Sequence, residues 1–115
     1  MSRHLFVVDP LAGIDITKDS SFALMLAAQG RGDEVWSCDT DGLSAQSGVG
    51  LANCRPTTVQ KVAGAHVQYG ATAQRPLGDF DCIWMRKDPP FDISYIAATY
   101  VLDLAPTGTR VFGRP

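Results

Sequence analysis

The sequence predicts an α/β domain built on a small, open, mainly parallel sheet flanked by helices. Strand–helix–strand order occurs near the start of the chain and again near its end, and such units join parallel strands by right-handed crossovers. The chain has 115 residues, of which 45% are hydrophobic, so it is long enough for one domain with a buried core. We therefore expect residues 1–115 to form a single domain.

The first unit is a strand, a helix and a second strand. Residues 4–8 are a short apolar run closed by Asp-Pro, which is typical of a buried strand. An aspartate and two serines at 19–21 precede the apolar residues 22–28, and glycines follow at 30 and 32, so a helix should begin and end there. Apolar residues surround most of this helix, so we expect it to be covered on more than one side. Residues 34–38 predict the second strand.

Residues 39–80 show the least regular pattern, although 57–62 and 65–69 could form paired strands. The pattern becomes regular again at 81–85, a buried strand by composition. Asp92 then caps a helix whose apolar residues recur at helical spacing, which is the clearest periodicity in the chain. Those residues are Ile93, Ile96, Ala97, Tyr100, Val101 and Leu104. Residues 109–112 predict a last short strand.

Charge and cysteine content exclude several classes of protein. The formal net charge is -2, so binding to nucleic acid through counterion release has no basis. The longest apolar run, 22–28, is far shorter than a membrane span, and the amino terminus does not resemble a signal peptide. Three cysteines are too few and too scattered for a disulfide framework. We expect a cytoplasmic protein with reduced thiols.

Common catalytic and cofactor motifs are missing from the sequence. It has no phosphate-binding loop with a Gly-Lys ending, and its Gly30-Arg31-Gly32 follows a helix, the reverse of the dinucleotide-binding context. No cysteine pair has metal-ligand spacing. His4 and His66 are isolated in sequence and are expected to be structural. The sequence therefore predicts neither a catalytic residue nor a metal ligand.

Two charged segments remain as candidate binding residues. Both should follow the carboxyl ends of strands, where ligands bind in open parallel sheets. The first segment lies at the start of the first helix, and the second lies on a loop that consecutive prolines stiffen. Their members are Lys18, Asp19 and Ser20, and Arg86, Lys87 and Asp88. In the alternative interpretation, Asp19 or Ser20 only caps the helix and Arg86 forms a weak surface ion pair with Asp88.

Four strings carry a resemblance to a known family. They are Val-Asp-Pro at 8–10, Lys-Asp-Ser-Ser-Phe-Ala at 18–23, Met-Arg-Lys-Asp-Pro-Pro-Phe-Asp at 85–92 and Ala-Thr-Tyr-Val-Leu at 98–102. In order and approximate spacing they resemble the amino-terminal region of prokaryotic glutathione synthetase. The resemblance covers nearly the whole chain, although 42–76 match poorly.

The resemblance implies a Rossmann-like, pre-ATP-grasp domain from a ligase that joins γ-glutamylcysteine to glycine with ATP and magnesium. The cysteinyl carboxylate is phosphorylated and the glycine amine attacks the acyl phosphate. Nucleotide and metal sites would lie in further parts of the enzyme, so this chain alone should hold no cofactor and be inactive. The six candidate residues match the family strings and are carried over as binding residues for the dipeptide.

Two other interpretations stay open at this point. The chain could be a stand-alone α/β binding or scaffold module derived from the ligase, without catalysis. It could also be a fragment that dimerises through surface normally covered by other domains, since an uncovered apolar patch tends to find a partner. We expect a homo-oligomer.

Overall fold

The computed structural model describes residues 2–87 and 92–113, and it confirms the α/β class. Within these residues the strands are β1 Arg3–Val7, β2 Glu34–Cys38, β3 Leu43–Gln46, β4 Val49–Val59, β5 Val67–Tyr69, β6 Ala73–Pro76, β7 Cys82–Met85 and β8 Arg110–Phe112. The helices are α1 Ser20–Gly30 and α2 Ile93–Leu102. The elements of both strand–helix–strand units therefore lie within one or two residues of their predicted positions.

The sheet is mixed rather than mainly parallel. Its main path runs β3-β4-β2-β1-β7-β8, and β5 and β6 also pair with β4. The pairs β1–β2 and β7–β8 are parallel, as expected from the crossovers, and β1 also pairs with β7 in parallel. Every pairing of β4, with β2, β3, β5 and β6, is antiparallel. The sequence prediction therefore holds for the two crossover units and is wrong for the part of the sheet built by residues 43–76.

A tight turn explains how the antiparallel part begins. Ser47 and Gly48, between β3 and β4, both have positive φ, 53° and 78°. This conformation is that of a two-residue type I′ turn, whose twist matches two antiparallel strands. Farther along β4, Thr57 pairs with Tyr69 and Val59 with Val67, so the strand pairing expected from 57–62 and 65–69 is present in a shorter form.

Helix α1 begins as predicted and packs on one side only. The Asp19 side chain accepts a hydrogen bond of 2.8 Å from the Phe22 N–H, which caps the first turn. Phe22 and Met25 are fully buried, whereas Ala23 and Ala27 are exposed. The expectation that this helix is covered on more than one side is wrong, because small alanines rather than core residues occupy its outer face.

Helix α2 also has its predicted cap, since the Asp92 carboxylate accepts from the Tyr95 N–H at 3.0 Å. Its buried side consists of Tyr95, Ala98 and Leu102. The side that carries the apolar periodicity faces solvent, with Ile93 exposed at 83% and Tyr100 at 70%. The helix carries apolar residues nearly all round, and the periodicity alone did not distinguish its two sides.

The two helices cover opposite faces of the sheet. Alternate residues of β1 point to opposite faces. Leu5 and Val7 belong to the apolar cluster that includes the buried side of α2. Phe6 and Val8 belong to the cluster that includes Phe22 and Met25 of α1. Because the α1 connection leaves β1 on one face and the α2 connection leaves β7 on the other, the carboxyl ends of β1 and β7 form a topological switch point.

Both histidines have structural hydrogen bonds. His4 Nδ1 accepts from the Trp84 indole N–H at 3.1 Å, so its Nε2 must carry the proton that bonds Asp33 at 2.9 Å. His66 Nε2 lies 2.6 Å from the Leu11 carbonyl oxygen. All three cysteines are free thiols. In the part of the chain that the structure describes, no helix is long and apolar enough to cross a bilayer.

Candidate functional site

A polar rim lies where the chain leaves β1 and β7. We use "rim" for Asp9, Ser20, Ser21, Arg86 and Lys87. Parallel pairing brings Val7 of β1 beside Met85 of β7, so the residues that follow them emerge together. The Arg86 N–H continues this ladder by donating to the Val7 carbonyl oxygen at 2.9 Å. The rim therefore occupies the crevice at the switch point, where α/β sheets bind ligands.

Arg86 connects the two charged segments. Its Nε donates to the Ser21 hydroxyl oxygen at 3.1 Å, and its Nη2 donates to that of Ser20. A guanidinium has five N–H donors, so these contacts hold the group while leaving others for a ligand. The two segments meet here, although Arg86 and Ser21 lie 65 positions apart in the chain. Ser21, which was considered only as a helix cap, belongs to the rim.

Lys87 forms an ion pair with Asp9 across the ends of β7 and β1. The Lys87 ammonium donates to Asp9 Oδ1, and the two side chains are only 19% and 31% exposed. The hydrogen bond with Asp9 is the main reason that the pKa of Lys87 is raised. Asp9 was not among the predicted binding residues. Its position directly after a buried strand, in Val-Asp-Pro, is the sequence signal that would have identified it.

The remaining predicted residues differ in their surroundings. Lys18 is exposed, and its side chain forms no hydrogen bond or ion pair with the described residues. One carboxylate oxygen of Asp19 accepts the hydrogen bond that caps the helix, as the alternative interpretation expected. Asp88 lies outside the described residues, as does its expected ion pair with Arg86. The binding roles of all six residues therefore stay predictions.

A cleft of about 390 Å³ adjoins the rim at the carboxyl ends of β1 and β2. Asp9 lines it and so belongs to both features. Its other charged lining residues are Asp39, Asp41 and Arg55. The Arg55 guanidinium carbon lies 3.4 Å from the centre of the Tyr69 ring, which is a stacked cation–π arrangement. The cleft was not predicted from the sequence, because β4 and β5, which supply Arg55 and Tyr69, lie within residues 39–80, where the sequence pattern is least regular.

Neither thiol of the cleft is suited to nucleophilic chemistry. Burial is the main cause that raises the pKa of Cys38, and it raises the pKa of Cys54 to about 11. Since the thiolate is the reactive form, both groups are inert near neutral pH. Among the residues that the structure describes, no three His, Cys, Asp or Glu side chains come together in a way that could hold a metal ion.

The fold and the rim define a small α/β domain with a polar edge at a topological switch point. Comparison with known families narrows this class, because residues 3–115 match the model described as prokaryotic glutathione synthetase, N-terminal domain. The chain belongs to this family.

Curated relatives agree with this assignment. The chain is 45% identical to the glutathione synthetase of Parasynechococcus marenigrum (strain WH8102) and 46% identical to that of Prochlorococcus marinus (strain MIT 9313), over 98% of its own length in each case. It is 40% identical to the glutathione synthetase of Shewanella oneidensis over 95% of its length. The chain spans about 36% of the length of the first two relatives.

Proposed function

We propose that this chain forms the substrate-binding side of an ATP-dependent ligase that joins γ-glutamylcysteine to glycine. In this proposal residues 1–115 are the amino-terminal domain, and the ATP-grasp part lies outside this chain. The single observation that carries the proposal is the Arg86 guanidinium, fixed between Ser20 and Ser21 at the switch point. Family membership supports γ-glutamylcysteine as the ligand, and the charges of the rim support binding at this edge of the sheet.

The rim suits a ligand that carries carboxylates and an ammonium group. Arg86 offers a planar fork of donors that matches a carboxylate, and its serine contacts reduce the freedom that it would lose on binding. Lys87 and the exposed Lys18 would add positive charge beside it. Asp19 and Asp88 would face the ammonium or orient these cations, and Ser20 would hold Arg86 in place. All of these groups bind or position the dipeptide.

The described residues do not fit a magnesium site, since they include no group of three or more potential ligands close enough together. Phosphoryl transfer depends on metal and cationic groups that position and neutralise the phosphates. We therefore assign no catalytic residue to this chain and propose that ATP and magnesium bind elsewhere in the enzyme. The isolated chain should show no ATP-dependent ligation, and measurable turnover would contradict this division of labour.

Binding of γ-glutamylcysteine to the chain, measured by isothermal calorimetry, tests the proposal. Arg86→Ala should weaken binding about tenfold to a hundredfold, because a charge-assisted contact is lost. Lys18→Ala should weaken it less, because its ammonium is exposed. Arg110→Ala is the control, since this exposed arginine of β8 has no side-chain hydrogen bond in the described structure. If Arg86→Ala and Lys18→Ala bind as tightly as the parent chain, the assignment of the rim is wrong.

The alternative function is that of a binding or scaffold module without catalysis. It would retain the rim but have no reason to prefer the dipeptide over other small anions. Equal affinity for γ-glutamylcysteine and for a simple dicarboxylate such as glutarate would favour this alternative. A clear preference for the dipeptide would favour the ligase.

We also propose that a second copy of the chain covers the outer side of α2. This side exposes Ile93 at 83%, Ile96 at 50% and Tyr100 at 70%. No charged residue occurs between 93 and 102, so two copies of the helix would meet without like-charge repulsion. Ile96→Glu should shift the sedimentation equilibrium from dimer to monomer without loss of helicity. A monomeric parent chain would show that another part of the enzyme covers this side.

The free thiols fit the reducing cytoplasm that the sequence predicts.

A further inference from the structure

The cleft beside the rim carries charges of both signs that do not neutralise each other. Asp39, Asp41 and Arg55 all line it. Arg55 forms no ion pair within the part of the chain that the structure describes, although the two carboxylates share its cavity. The volume of about 390 Å³ lies within the range of small-ligand pockets. These properties are those of a receptor for a small molecule with a positive and a negative group.

The backbone pairing and ring stacking of Arg55 fix its guanidinium in a position to bind an anion. It lies on β4 opposite Ser37 of β2, so its backbone is fixed at the centre of the sheet. Its guanidinium is stacked on Tyr69 at 3.4 Å, and Tyr69 is fixed in turn because β5 pairs with β4. Stacking occupies the flat face of the guanidinium and leaves its N–H edge for hydrogen bonds. A carboxylate would meet this edge at little further cost in ordering.

The carboxylates of the cleft provide the opposite charge. Asp41 is exposed and its side chain forms no hydrogen bond with the described residues. Asp39 uses one oxygen, Oδ1, to accept from the Thr40 N–H at 2.7 Å, and its second oxygen accepts no hydrogen bond from the described residues. These side chains are not grouped as metal ligands. An ammonium group is the cation that matches separated carboxylates with free oxygens.

We propose that this cleft binds an α-amino-acid headgroup, with the carboxylate on Arg55 and the ammonium on Asp41 and Asp39. This inference rests on the proposed function, because the γ-glutamyl end of γ-glutamylcysteine is such a headgroup. Asp9 lies in both the cleft and the rim, and we place one extended dipeptide across it, from Arg55 towards Arg86. The γ-glutamyl end with its ammonium then lies in the cleft, the cysteinyl end lies at the rim, and the acids beside the rim orient its cations.

Two analogues of the dipeptide test each half of the headgroup separately. Glutarylcysteine lacks the ammonium, and 4-aminobutanoylcysteine lacks the α-carboxylate. Arg55→Met should weaken γ-glutamylcysteine binding about tenfold to a hundredfold and leave the affinity for 4-aminobutanoylcysteine unchanged. Asp41→Asn should weaken γ-glutamylcysteine and leave glutarylcysteine unchanged.

Arg75→Met is the matched control, because Arg75 also stacks on an aromatic ring, with its guanidinium carbon 4.5 Å from the centre of the Trp36 ring, but does not line the cleft. It should bind all three compounds as the parent chain does. Circular dichroism of each variant establishes that it is folded. An Arg55→Met variant that binds all three compounds like the control would overturn the inference.

Backbone amide shifts in a titration with γ-glutamylcysteine separate this inference from the proposed function. Shifts at Ser20, Ser21 and Arg86 together with shifts at Asp41 and Arg55 support both. Shifts at the rim alone overturn the cleft assignment and leave the proposed function standing. Shifts at the cleft alone support the headgroup site and contradict the rim. No shift at either place with millimolar dipeptide contradicts both.

Discussion

Gln29, near the end of α1, should contribute strongly to stability through its side-chain amide. Its Nε2 donates to the Val59 carbonyl oxygen at 2.9 Å, and its Oε1 accepts from the Val59 N–H at 2.6 Å. The amide thus bonds β4 as a neighbouring strand would, and Val59 is only 4% exposed. Replacing Gln29 by Ala would leave a buried donor and a buried acceptor without partners.

Each of these backbone groups costs about 1–3 kcal/mol when it is buried without a hydrogen bond. Alanine recovers only a few tenths of a kcal/mol through its higher helix propensity. Gln29→Ala should therefore lower the free energy of unfolding by about 2–4 kcal/mol, measured by urea denaturation. Gln68→Ala is the matched control, because this exposed glutamine on β5 has no side-chain hydrogen bond in the described structure, and it should change stability by less than about 0.5 kcal/mol. Equal stability of the two variants would refute the reasoning.

Four further changes test other parts of the structure. Asp19→Ala removes the cap of α1 and should cost about 1 kcal/mol of unfolding free energy, whereas Asp19→Ser should cost much less. Gly113→Ala should lower the melting temperature, since Gly113 has a φ of 84° and an added Cβ would lie 2.3 Å from a backbone oxygen. Cys54, whose pKa is raised to about 11, should react with iodoacetamide at pH 8 much more slowly in the native chain than in urea. Hydrogen bonds from the Ser2 N–H and from His4 lower the pKa of Asp33, so Asp33 stabilises the fold above its ordinary pKa and loses that effect as the pH falls through the lower folded value. Acid titration below about pH 4 should therefore destabilise the parent chain more steeply than Asp33→Asn.

How much of the candidate site could be predicted from the sequence depends on how far apart in the chain the contacting residues lie. Asp19 and Asp92 were recognisable as helix caps, because a cap bonds an N–H only three residues ahead. The meeting of Arg86 with Ser20 was predictable in part, because both segments follow strands of the two crossover units, and the pairing of β1 with β7 then brings these strand ends together. The contact between Arg55 and Tyr69 was not predictable, because it depends on the register between β4 and β5, which only the complete sheet defines.

Helix α2 shows the same limit for packing. The spacing of Ile93, Ile96 and Tyr100 identified a helix correctly, since periodicity is a property of the chain itself. It did not show that Tyr95 and Leu102 pack on the core, because that depends on what lies opposite each side of the helix.

By itself, the sequence determined the α/β class, the positions of both crossover units, the helix caps and the family, all of which follow from neighbouring residues or from strings that stay together. Only the tertiary structure decided the mixed sheet, the buried side of α2 and the cleft beside the rim. Their physical reason is shared: antiparallel partners, helix faces and cavities are set by contacts between residues far apart in the chain, and these contacts form only when the whole sheet is assembled.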